Sequence, residues 1–125
     1  MKFSLFLLVW AILLACTNGQ SAEKPEVTVN ISSVIDGEKL FKVNCSQCHR
    51  PAEDFAAPAI AGSKKRWPNK KLLYEFVRNS QDVIARNKYA AALFEKWNKG
   101  YMQPFTHLSD KEIEAILKYC DSRAK

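Results

Sequence analysis

Apolar residues recur at helical spacing in four stretches of the chain, separated by more polar segments, two of which carry proline and glycine. The first opens at Asp36, a helix-capping residue, and runs through Gly37, Glu38, Leu40 and Phe41 toward Cys45. Gly37 and Phe41 are four apart and share a face, so the glycine permits close approach of a second helix. The second stretch follows Asn69, again a capping residue, and sets Leu72, Leu73, Phe76 and Val77 on its buried side. In the third, Tyr89, Leu93 and Trp97 recur every four residues beside Phe94, an aromatic stripe whose plainest role is core, and Gly100 is expected to end it. The fourth opens with Ser109 and Glu112 at capping-box spacing and aligns Ile113, Ile116, Leu117 and Cys120 on one face. Between these helices, Arg50 to Lys65 reads as an extended loop, Asn79 to Asn87 as a turn, and Tyr101 to Leu108 as irregular. Val27, Val29 and Ile31 alternate as a strand would, but no partner strand follows, so the expected class is all-α.

Upstream the pattern changes. Leu5 to Ala15 is an unbroken apolar run preceded by Lys2. It is too short to span a bilayer and matches the apolar core of a signal peptide. The run ends Leu13-Leu14-Ala15-Cys16, which resembles the bacterial lipobox, where cleavage precedes a cysteine that then carries lipid. Leu14 departs from the small residue commoner at its position. Residues 1–15 are therefore expected to be a lipoprotein-type signal peptide and Cys16 a lipid anchor; a retained membrane anchor and a plain signal peptide are the alternatives. Residues 16–32 are polar, contain Pro25 and read as a flexible tether, leaving 33–125 for the folded domain.

A chain of 125 residues holds one small domain with a modest core, which needs a staple, a metal or a cofactor. Four cysteines are present, but Cys45 and Cys48 are too close in sequence to staple distant segments. The formal net charge is +6, and removing Lys2 with the leader leaves 6 − 1 = +5. That balance suits an acidic partner or an anionic surface; export makes nucleic acid a poor candidate.

The spacing in Cys45-Ser46-Gln47-Cys48-His49 has a mechanical logic: two thiols add across the two vinyl groups of one porphyrin, and the next histidine ligates the iron. A thioredoxin-like pair would sit near a βαβ pattern, which is missing here. A zinc site recruiting His49, His107 or Cys120 would ordinarily show a second close ligand pair. The expected cofactor is one covalent haem c, whose bulk completes a core of short helices and long loops. With the leader removed, Met102 is the single methionine, and it lies in the irregular proline-containing segment. Its thioether is a soft ligand suited to the sixth position; His107, just before Ser109, is the rival and reads as a surface residue.

These residues resemble the class I monohaem cytochromes c over about residues 34 to 122. In that family a glycine and an aromatic residue on the first helix cross an aliphatic and an aromatic residue on the last; Gly37 and Phe41 match the first pair, Ile116 and Tyr119 the second. The resemblance implies the cytochrome c fold, about four short helices around one attached haem. It implies that Pro58, in Ala57-Pro58-Ala59-Ile60, accepts the proton of the haem histidine and fixes its tautomer. Met102-Gln103-Pro104-Phe105 resembles the methionine loop, with Gln103 where proline is common. Cys120 stands where the family often has an aliphatic residue and reads as a small buried hydrophobe, a disulfide to Cys16 being the alternative.

The function expected is one-electron transfer by a monomer on the periplasmic or outer face of a bacterial membrane, between redox proteins of which one presents an acidic docking surface. A His/Met iron leaves no open position, so no enzyme activity is expected. The alternatives are a haem subunit of a respiratory or reductive complex, and an open-site haem enzyme or gas sensor. Lys64, Lys65, Arg66, Lys70 and Lys71 form a basic cluster that suits docking, or simply an ordinary solvated face. Trp67 within it is expected to donate to a haem propionate or to pack at the edge of the core.

Overall fold

The computed structural model describes residues 35–124. The segments expected to be signal peptide and tether, Cys16 with its expected lipid, and the alternating Val27–Ile31 segment lie outside the described residues. The described residues form six α-helices and no strand: α1 (Gly37–Asn44), α2 (Ser63–Arg66), α3 (Lys70–Arg78), α4 (Ser80–Arg86), α5 (Lys88–Lys96) and α6 (Asp110–Arg123). No helix among them is long and apolar enough to cross a membrane.

The helix starts follow from side-chain capping. Asp36 accepts from the Lys39 amide, Asn69 from Leu72, and Ser109 and Glu112 close the reciprocal capping box of α6. Two corrections concern segments read as loop. The turn expected at 79–87 is helix α4, because Asn79 ends α3 and its side chain accepts from Asp82 to start the next helix at once. The loop expected to reach Lys65 instead tightens into α2 after Gly62, which adopts φ 74°, a left-handed conformation cheap for glycine. The end of α5 also differs. The helix stops at Lys96, and the left-handed residues are Asn98 (φ 53°) and Lys99 (φ 56°), not Gly100.

The organising contact is α1 across α6. A Cβ on Gly37 would fall 2.1 Å from the Ala115 carbonyl oxygen, so the two backbones touch directly. One turn on, the Phe41 and Tyr119 rings lie 5.6 Å apart. The core gathers Phe41, Ile113, Ile116, Leu117 and Cys120 from this crossing with Trp67, Leu73, Val83, Ala90, Phe105 and Leu108 from the rest of the domain. Helix α4 packs on both α3 and α5, which turns the chain back toward α6. A charge network ties α2 and α3 to α6: Glu114 accepts from Tyr74 Oη and meets Lys64 at 3.0 Å and Lys70 at 3.1 Å, and Lys64 also lies 3.5 Å from Asp121. The Tyr74 hydroxyl, then the two ammonium groups, hold the Glu114 carboxyl down at about 2.

Candidate haem site

The attachment segment grows out of the end of α1. Cys45 caps the helix through its amide to the Phe41 carbonyl at 2.8 Å, and the His49 amide reaches back to the Cys45 carbonyl at 2.9 Å. Cys45, Cys48 and His49 are therefore presented on one tight turn. Both thiols are free; Cys48 is exposed and Cys45 half-buried, where burial pushes its thiol up to about 11. Cys120, wholly buried on α6, is raised to about 12 by the same cause, with Cys45 and Asp121 adding to it. It behaves as the small hydrophobe expected of it.

His49 Nδ1 lies 2.7 Å from the Pro58 carbonyl oxygen. A carbonyl only accepts, so Nδ1 carries the proton and the Nε2 lone pair is left for a metal. Burial lowers the pKa of the ring, against the opposing pull of Pro58, which keeps the imidazole neutral as a ligand must be. The Pro58 segment is itself clamped. Asp54 accepts from the Ala59 amide (2.8 Å), Arg66 donates to the Ala59 and Ala61 carbonyls (2.6 Å each), and Asp121 accepts from the Gly62 amide (2.7 Å). Sequence reasoning found Pro58 but missed this clamp, because nothing in the spacing of Asp54, Arg66 and Asp121 announces that they converge.

Met102 is half-buried and packs against the same core as Cys45, whereas His107 is exposed beside Phe105, their ring centres 6.3 Å apart. The Met102 carbonyl accepts from Ser80 Oγ at 3.0 Å. Trp67 is buried, packed between a tilted Phe76 ring (centres 4.7 Å apart) and an edge-on Tyr89 ring (5.1 Å), so core packing is its observed role. The aromatic stripe of α5 is core in part: Tyr89 and Leu93 are half-buried and pack against the core, Ala90 is fully buried in it, and Trp97, at the cap, is half-buried outside it. The stripe lines a groove of about 450 Å³ with Pro58 and Ala59, where Arg66 and Lys96 supply basic groups and Asp54 an acidic one. A larger open depression among α1, α3 and α6 is lined by paired charges and contains none of the attachment residues, so it is not the site.

The basic cluster is mostly neutralised within the protein. Lys64 and Lys70 face Glu114, Lys71 approaches Glu75, and Arg66 serves the loop carbonyls. Among the described residues Lys65 and Arg66 have no acidic partner, and of the five only Lys65 has neither an acidic partner nor a backbone one. Nor do three His, Cys, Asp or Glu side chains converge on a metal position among the described residues.

The donor set fits a haem: two free thiols and a neutral, oriented imidazole on one turn, with a thioether on the core side of a loop. No curated protein sequence matches the chain. Among solved structures, a cytochrome c from Rhodothermus marinus is similar, at 29% identity over 70% of this chain and 72% of that one, with a TM-score of 0.56. The sequence model of the family described as cytochrome c matches residues 34–123, the whole of the frame just described. On that match the chain belongs to the cytochrome c family, all-helical proteins that hold a c-type haem and its iron covalently.

Proposed function

We propose that the protein is an exported one-electron carrier with a single c-type haem. Cys45 and Cys48 would hold the porphyrin through thioethers, and His49 Nε2 and Met102 Sδ would face the iron from opposite sides. The haem, when bound, supplies the one-electron iron couple; the chain supplies its ligands, its polarity and its access to partners. The observation that carries the reading is the 2.7 Å contact of His49 Nδ1 with Pro58, which orients Nε2 as a ligand. Ligation by both His49 and Met102 would close the coordination sphere, which favours electron transfer over catalysis at the iron. The cytochrome c family is likewise made up mainly of carriers rather than enzymes.

The export signal, lipidated Cys16 and tether at 16–32 would keep the domain at a membrane surface while it moves between donor and acceptor. The positive balance would steer an acidic redox partner. The deciding experiment is the spectrum of the oxidised protein. His/Met ligation gives a weak near-infrared sulfur-to-iron band. Met102→Ala should abolish it, lower the potential and open the ferrous iron to carbon monoxide. Wild-type protein that lacks the band and binds carbon monoxide readily would instead mark an open site.

A further inference from the structure

After α5 the chain passes Asn98 and Lys99 in left-handed conformations and does not become helical again until Asp110. The backbone between has no helical ladder, yet Phe105 and Leu108 within it are buried. Its polar groups must therefore find partners elsewhere.

The Leu108 amide turns back to the Phe105 carbonyl, but the contacts that tie the segment to the rest of the fold gather at one corner, the junction of α3 and α4. Ser80 Oγ donates to the Met102 carbonyl at 3.0 Å. The Phe105 amide donates to the Arg78 carbonyl at 3.1 Å. Arg78 Nε donates to the Leu108 carbonyl at 2.9 Å, and its guanidinium pairs with Asp110 where α6 begins. Asn79, between the two clamping residues, caps the end of one helix and the start of the next, so both hang from one fixed corner. Ser80 is 1% exposed, so its hydroxyl is held away from bulk water and aimed at that carbonyl.

We propose that Ser80 is the positioning residue of the sixth iron ligand, and that Arg78 latches the far end of the same loop. The inference rests on the reading that Met102 ligates the iron. Ser80 never touches the metal. It holds the carbonyl of the residue whose thioether does, and so sets the equilibrium between bound and released methionine.

Imidazole competes for the sixth position of ferric haem, so its apparent affinity reports how often Met102 lets go. Ser80→Ala removes the side-chain donor from the Met102 carbonyl and should raise imidazole affinity about tenfold, the scale of one such hydrogen bond. Ser80→Thr keeps the hydroxyl and should stay within about twofold of wild type, which preserves the test if the alanine variant folds poorly. Val83→Ala serves as the control. It empties a fully buried position on the same helix without touching the loop carbonyls, so it should lower the melting temperature and leave imidazole affinity unchanged. The proposal is overturned if Ser80→Ala binds imidazole as wild type does, if Ser80→Thr loosens the ligand as alanine should, or if Val83→Ala shifts the affinity equally. Those results leave the near-infrared band of wild type in place. Absence of the band in wild type would remove the Met102 reading and this proposal with it.

Discussion

Gly37→Ala tests the helix crossing on which the fold hangs. The added methyl would lie 2.1 Å from the Ala115 oxygen, 2.6 Å from its carbonyl carbon and 3.3 Å from the Ile116 nitrogen. All three are backbone atoms in the middle of α6, so no side chain can swing aside. Relief requires α1 and α6 to separate by more than an ångström, since ordinary contact begins near 3.4 Å. That movement loosens Phe41, Ile116 and Cys120, each nearly solvent-free, and the Phe41–Tyr119 ring contact. Overpacking of this kind costs about 1–3 kcal/mol and sometimes more. Helix propensity acts the other way by at most about 1 kcal/mol, and less here because Gly37 is the first helical residue. A net loss of about 2 kcal/mol corresponds to a fall in Tm of roughly 10 °C in a domain this size. Thermal melts followed by far-ultraviolet circular dichroism on the haem-loaded protein measure it. A Tm equal to or above wild type would mean that propensity outweighs packing, and that the close approach of α1 to α6 is not real.

Three further outcomes follow from charge and processing. Glu114, ordinarily near 4.5 and held at about 2 in the fold, contributes stability that is complete above pH 4.5 and is lost as the pH falls from there toward 2. Glu114→Gln should therefore be less stable at neutral pH and converge on wild type across that window; a constant gap in Tm would refute the network. Mature protein purified from membranes should begin at a lipid-modified Cys16, and Cys16→Ser should yield uncut or released protein; mass spectrometry that finds a soluble form starting well downstream refutes the anchor. Electron transfer to an acidic partner should slow as salt rises, and Lys65→Glu should slow it at low salt more than Lys64→Glu slows it, because Lys64 is already paired; equal rates at low and high salt would remove the steering argument.

What could be read from the sequence was whatever rests on local chemistry. The caps at Asp36, Asn69 and Ser109 act within three residues, and the attachment turn acts within five, so the order of residues specifies them. The helix crossing was legible through Gly37, because a glycine on an otherwise ordinary helical face has few purposes other than close approach. Helices α2 and α4 were not legible. Four residues, Ser63 to Arg66, cannot repay helix nucleation by themselves, and α4 has seven. Their existence depends on tertiary contacts: Gly62 bound to Asp121 on α6, and Ser80 and Val83 in the core. The stripe on α5 has the right period for core, but a period names only the face. What that face meets is set by topology, and here it meets the Pro58 groove.

The two short helices that escape a local reading are also the ones that serve the proposed ligands. Each proposed ligand sits at a place where the backbone is irregular, and an irregular backbone has carbonyls and amides that no ladder satisfies. Near Pro58, α2 folds Arg66 back onto the Ala59 and Ala61 carbonyls. Beside Met102, the corner before α4 presents Ser80 and Arg78 to the loop. In both places the side chain binds the backbone and leaves the ligating atom free. That arrangement suits an electron carrier: each proposed ligand is held through the backbone beside it, His49 also through its own hydrogen bond to Pro58, and an iron that keeps its ligands in place in both oxidation states has less to rearrange with each electron. Short helices α2 and α4 therefore belong to the site as much as to the frame.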